Sequence, residues 1–299
     1  MSRAKPPRPV RVAPGPLARP PSASRVAPTR KANPLPLDRP ALVAGLESGA
    51  LELGVSLTAA QQAKLLDYLA LLSRWGQVYN LTAVRDPAQM LTQHLLDSLA
   101  VWPALRCYLQ SRPAAAPKVA PTEAPTEAPT GAPTGAPTGA PRAAPAALSA
   151  DESSSAARVL DVGSGAGLPG VVLATVAPVL AVTCVDAVGK KAGFVRQVAA
   201  ELGLTNLQAV HARVEALPAL PGDPGFDVIT SRAFASLADF VQASQHRLAA
   251  GGVWMAMKGQ PPGEEVAALP AAVEVFHVEQ LVVPGLQAQR CLVWMRRRG

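Results

Sequence analysis

The chain has 299 residues, 49% of them hydrophobic, and a formal net charge of +7. That length allows one large or two modest domains with a sizeable core. No apolar run approaches the ~20 residues of a membrane span, and the N-terminus lacks the apolar region of a secretory signal, so a cytoplasmic chain is expected.

Residues 1–40 hold nine Lys/Arg and one acid, Asp38, a net of +8; the remainder sits at −1. This Pro-rich stretch buries too little apolar surface to fold. Its charge suits a polyanion such as nucleic acid; a solubilising tail, or a start codon placed too early, are the other readings. From Ala41 the pattern turns helical. Thr58 is placed to cap a helix along which Leu65, Leu66, Leu69, Leu72, Trp75 and Val78 recur at helical spacing. Asn80-Leu81-Thr82 interrupts it. Asp86-Pro87 opens a second helix expected to run through Met90, His94, Leu95, Leu99 and Trp102 to Pro103. Residues 41–112 therefore read as a small helical unit.

Residues 113–157 repeat Ala-Pro-Thr-Glu and Ala-Pro-Thr-Gly units, the composition of an extended linker. From residue 158 to 299 apolar strands alternate with helical segments. Strands are expected at 158–162, 180–185, 207–211, 226–230, 252–257, 273–283 and 290–295. Helices are expected at 169–177, 189–203, 235–249 and 263–269. Such alternation predicts a doubly wound, mostly parallel α/β sheet. Three cysteines, Cys107, Cys184 and Cys291, are far apart and never in CxxC spacing. They point to a reducing compartment and to neither a disulfide framework nor a zinc site. Cys184 and Cys291 lie in strand-like runs and read as core residues.

The most informative stretch is Asp161-Val-Gly-Ser-Gly-Ala-Gly-Leu-Pro-Gly170, a glycine-rich turn between a strand and a helix. Such a turn brings backbone close to a nucleotide-like ligand, and glycines remove the Cβ that would block the approach. Gly165-x-Gly167-x-x-Gly170 satisfies the dinucleotide pattern, which alone is weak. Asp161 closes the strand just before the glycines. A carboxylate there repels a pyrophosphate and attracts a cation, which favours S-adenosylmethionine, with its sulfonium and ammonium, over NAD. Asp186 ends the next strand ~20 residues on, where an acid meets ribose hydroxyls. Arg213-Val214-Glu215 and Ser231-Arg232 fall at or after later strand ends, around the same expected cleft.

Methyl transfer draws its reactivity from the cofactor, and the protein aligns donor and acceptor. Methylation of a pyrimidine carbon needs a nucleophilic cysteine, which does not follow the fourth strand. An exocyclic base nitrogen is commonly served by an Asn/Asp-Pro-Pro-aromatic loop there; this chain has Thr230-Ser231-Arg232-Ala233-Phe234. A ring nitrogen with a free lone pair, such as guanine N7, needs neither. No residue is assigned a certain catalytic role, and Arg232 is the candidate: it could meet RNA phosphate or cofactor, or be a plain surface arginine. Lys190, Lys191 and Arg196 form a basic helix face suited to RNA. His94 and Asp97, at i and i+3, can share a face and read as a pairing that holds the helical unit to the core.

Trp75-Gly76-x-x-Tyr79-Asn80-Leu81-Thr82, His94-Leu95-Leu96-Asp97-Ser98-Leu99, the glycine loop, Arg213-Val214-Glu215, Ser231–Leu237 and Lys258-Gly259-Gln260 together resemble the RsmG family, also called glucose-inhibited division protein B. The resemblance covers about 41–112 and 158–299. It implies a Rossmann-like class I methyltransferase that moves a methyl group from S-adenosylmethionine to N7 of one guanine in 16S rRNA. It carries cofactor contacts onto Gly163, Leu168, Val214, Glu215 and Arg232; Asp161, Gly165, Gly167 and Asp186 join them from the residues themselves. Gly163, Gly165 and Gly167 would let backbone amides approach the methionine part, and Val214-Glu215 would frame the adenine. The expected partner is 16S rRNA or the small subunit, bound by a monomer. The readings kept beside it are an NAD-dependent oxidoreductase and a non-catalytic RNA-binding module. The tail and the linker depart from the family pattern.

Overall fold

A helix needs caps for its orphan amide groups, and the first two helices of the computed structural model have them. Asp38 accepts from Ala41 N at the start of α1 (Arg39–Glu52). Thr58 and Gln61 form a capping box at the start of α2 (Ala59–Tyr79). The structure describes residues 38–112, 156–219, 222–232, 234 and 236–299, all within a compact unit spanning Pro34–Gly299. Residues 1–37 of the expected tail and most of the linker lie outside the described residues; Asp38–Pro40, expected in the tail, instead cap and open α1.

The second helix differs from expectation. It begins as α3 (Pro87–Met90), capped by Asp86, widens into a π-helical turn at Leu91–Leu96, and closes as α4 (Asp97–Leu99). Pro103 does not end it. That proline sits in the first turn of a new helix, α5 (Trp102–Ser111), where a missing N–H costs nothing.

The sheet has seven strands in the order β3-β2-β1-β4-β5-β7-β6. They are β1 (Arg158–Val162), β2 (Ala181–Asp186), β3 (Leu207–His211), β4 (Phe226–Ser231), β5 (Leu248–Lys258), β6 (Val273–Leu281) and β7 (Arg290–Arg297). The first five are mutually parallel. The β6–β7 hairpin adds an antiparallel pair, with β7 inserted beside β5. Between strands run α6 (Gly170–Val176), α7 (Gly189–Glu201), α8 (Leu237–Ser244) and α9 (Gly263–Ala267). The helix expected to reach 249 stops at Ser244, and β5 starts earlier than expected. Gly251-Gly252, at the start of the expected strand, sits inside β5 where the register with β4 shifts. A Cβ on Gly252 would come within 2.9 Å of the Phe226 carbonyl, so the close strand approach requires glycine.

The helical unit has no core of its own. Leu65, Leu69 and Leu72 are fully buried and join Val171, Phe194 and Val195 in one cluster. Burying each such leucine is worth about 1.5–3 kcal/mol. Val78, the last residue of the expected stripe, is exposed. Trp75 packs tilted against Phe194 of α7 with centroids 5.5 Å apart, and Gln61 Nε2 donates to the Val176 carbonyl at 3.1 Å. Cys184 and Cys291 are buried as expected, Cys107 is exposed, and all are free.

Candidate functional site

The strand order reverses between β1 and β4, and ligands of open α/β sheets bind beyond the strand ends at such a point. The glycine loop lies there. Gly163, Gly165 and Gly167 have φ of +66°, +58° and +91°, a region open to glycine at little cost. A Cβ on Gly163 would meet nothing within 4 Å, so that face of the loop is open. A Cβ on Gly167 would come within 2.5 Å of Val171 Cγ2. One glycine leaves room for a ligand; the other lets the loop lie on its helix.

The amides of the three glycines are themselves paired within the protein. Gly163 N donates to Val185 O at 2.9 Å, Gly165 N to Asp186 Oδ2 at 2.9 Å, and Gly167 N to Ser164 O at 2.8 Å. The glycines provide clearance rather than spare donors. Asp186 also accepts from Val188 N at 2.8 Å, so its carboxylate ties the loop to the end of β2. Asp161 lies beneath the loop. Its Oδ2 accepts from Gly170 N at 2.8 Å, while Oδ1 is buried without a partner. Burial foremost pushes this carboxyl up to about 7, against the pull of the Gly170 N–H and Arg232. A cation brought alongside would restore its charge. The unpartnered Oδ1, the open face at Gly163 and the buried, unpartnered Ser231 Oγ at the end of β4 fit a cationic, hydroxyl-bearing ligand such as S-adenosylmethionine.

Leu168 is buried in the core, so only its backbone is available to a ligand. Val214 is buried in a 3₁₀ turn (Val214–Ala216) while Glu215 is exposed. That turn follows β3, and Ala212 N donates to Asp186 O at 3.2 Å, which keeps it beside the loop. Lys190 and Lys191 open α7 directly after this acid; Arg196 reaches the Ala209 carbonyl at 3.3 Å. Tyr68, which the sequence reading passed over, donates from its hydroxyl to Ala166 O at 2.8 Å while fully buried. Helix α2 thus touches the loop itself. The available signal was a hydroxyl on an apolar stripe, which needs a partner when buried.

Arg232 is not a plain surface arginine. Its Nε lies 3.0 Å from Asp97 Oδ2, and its Nη2 donates to Gln93 O within the π-helical turn. Arg290, opening β7, donates through Nε to Asp97 Oδ1 at 2.7 Å. Asp97 therefore does hold the helical unit to the sheet, but through two arginines. His94 does not share that role; its Nε2 faces Thr82 Oγ1 at 2.8 Å, and burial, then Arg232, lowers its pKa.

Beside this cluster, beyond the end of β5, an open groove of ≈ 740 Å³ is lined by residues 258–265 and 288–290, including Lys258, Gln260, Gln289 and Arg290. Lys258 pairs with Glu265 at 2.9 Å. The Lys258-Gly259-Gln260 motif and the Asp97 cluster, far apart in sequence, meet here.

The family model described as rRNA small subunit methyltransferase G matches residues 61–111 and 145–293. Ribosomal RNA small subunit methyltransferase G of Methylibium petroleiphilum is 54% identical over 264 residues, 88% of this chain and 98% of that protein. The same-named protein of an Acidovorax species is 51% identical over 251 residues, 84% and 93% of the two chains. Among solved structures, TrmN from Thermus thermophilus is 22% identical over 48% of this chain and 44% of its own, at a TM-score of 0.39, too slight a likeness to argue from.

Proposed function

This chain belongs to the rRNA small subunit methyltransferase G family, and from that premise we propose that it methylates N7 of one guanine in 16S rRNA, acting as a monomer. It is an S-adenosylmethionine-dependent methyltransferase of small-subunit ribosomal RNA. The observation that carries the assignment to this site is the open, positive-φ loop at Gly163 above the buried Asp161, at the reversal of strand order. Gly163 and Gly165 would leave room for the methionine part, Asp186 would take the ribose, and Val214 and Glu215 the adenine. Arg232 would face both donor and acceptor from the end of β4. No described helix is long and apolar enough to cross a membrane.

Guanine N7 fits the residues after β4. Its lone pair attacks without a base, so orientation suffices, and orientation alone is worth about 7–11 kcal/mol. The test is incubation with S-adenosylmethionine and unmodified small-subunit rRNA, followed by digestion and identification of the methylated nucleoside. 7-Methylguanosine at one position is expected. Another methylated base would overturn the N7 assignment. Donor binding without turnover would point to a binding module, and NAD binding without donor binding to an oxidoreductase.

A further inference from the structure

Asp97 is fully buried, yet it faces two guanidiniums, those of Arg232 and Arg290. The cluster therefore carries one surplus positive charge. The groups packed around it do not cancel that surplus. His94 is an uncharged neighbour at neutral pH, its pKa lowered. Glu265 is taken by Lys258 Nζ and by Leu237 N, both at 2.9 Å. Glu264 is exposed on the α9 side of the groove. The arginines keep only 22% and 23% of their side chains in solvent, and partly buried charge is costly unless met by an opposite one.

Two observations say where the missing anion goes. Arg290 lines the groove beyond β5. Its Nε is committed to Asp97 and its Nη1 to the Gln289 carbonyl at 2.9 Å, while its Nη2 has no partner among the described residues. A second carboxylate between two arginines shows that the arrangement alone makes no site. Asp223 joins Arg158 and Arg247, but Arg158 opens β1 and Arg247 precedes β5, at the strand ends opposite the groove.

We propose that Arg290, anchored by Asp97, binds a backbone phosphate of the RNA strand that lies in this groove while its target base is methylated. The inference rests on the rRNA reading above. A guanidinium fixed at two of its nitrogens presents the third without further loss of side-chain freedom. Arg290 thus acts on RNA affinity and leaves the methyl-transfer step to the loop and β4.

The test compares wild type, Arg290→Gln and Arg290→Lys on unmodified small-subunit rRNA, with donor saturating, across a series of salt concentrations. Losing one phosphate contact weakens binding by roughly 5–10-fold at about 0.1 M monovalent salt and lowers the logarithmic salt slope by about 1. Arg290→Gln should raise the KM for RNA by that factor and flatten the slope, with kcat at saturating RNA and donor affinity within about twofold of wild type. Arg290→Lys should recover the slope. An unchanged KM and slope in Arg290→Gln overturns the proposal. So does lost thermal stability with a normal slope, which would make Arg290 a strut only. If wild type fails to methylate rRNA, the functional reading has failed. The slope is then read by filter binding of the same rRNA, which decides the Arg290 proposal separately.

Discussion

Gly163 and Gly167 have positive φ a few residues apart, yet the same substitution should break them differently. Gly163→Ala puts a methyl group into open space, so the fold should survive with a loss of about 1–2 kcal/mol for the left-handed backbone. Calorimetry should nevertheless show donor affinity reduced at least about tenfold, because the proposed function places the methionine part of the donor in that space. Gly167→Ala drives its methyl into Val171 and should lower the melting temperature more than Gly163→Ala does. Asp161 gives a pH signature. Its folded-state pKa of about 7 lies above the ordinary 3.8. The free protein therefore binds more protons folded than unfolded across that window, and stability falls as pH rises through it, levelling above 7. A bound cation favours the ionised form, so donor affinity should rise between pH 6 and pH 8, about a unit either side of that value. Asp161→Asn should flatten both profiles in urea melts and calorimetry. If the pH dependence persists unchanged in the variant, another group is responsible. A plain surface arginine at 232 could be replaced by alanine without harm to the fold. The structure predicts instead a loss of about 1–3 kcal/mol together with lost activity, since a buried carboxylate loses one of its partners.

Helix α2 ties down the glycine loop from outside the sheet. The Tyr68 hydroxyl satisfies the Ala166 carbonyl inside the loop, and Tyr68 and Trp75 both face Phe194 of α7. Tyr68→Phe removes the oxygen alone and leaves a buried carbonyl unpaired, which costs about 1–3 kcal/mol. Denaturant melts should show that loss, and donor binding should weaken, because a freed loop must be ordered again on binding. Normal stability with normal donor affinity would show that the hydroxyl is dispensable. The π-helical turn at Leu91–Leu96 has a comparable use. Such widened turns recur at functional sites, and this one presents the Gln93 carbonyl to Arg232 and sets Asp97 between the arginines.

On the scale of the whole molecule, charge is divided unevenly. Residues 1–37 carry eight Lys/Arg and no acid, so the remainder is at −1. Asp38 caps α1 and Arg39 pairs with Asp67 at 2.8 Å, which places the limit of a safe truncation at residue 37 rather than 40. Deleting residues 1–37 should weaken rRNA binding at low salt and flatten its salt dependence. Donor affinity and kcat at saturating RNA should be unchanged. Equal RNA affinity and equal salt slope with and without the segment would show that it is no RNA anchor.

The sequence by itself determined the parallel part of the sheet, the glycine loop and the two acids beside it. Strand–helix alternation and glycine spacing are local properties, written in neighbouring residues. It also determined the caps at Thr58 and Asp86, for the same reason, but not the cap at Asp38, which lies in the stretch that reads as tail. What the amides of Gly163, Gly165 and Gly167 do was decided only by the fold, because their partners include Val185 and Asp186 on another strand. The β7 insertion, the continuation of β5 through Gly251-Gly252 and the burial of Tyr68 depend likewise on surfaces that other elements bring. The Asp97 cluster is the extreme case. Its residues come from the helical unit, the end of β4 and the start of β7, with 193 positions separating Asp97 from Arg290. No periodicity records such a meeting; only the packing of helix against sheet turns three scattered charges into one site.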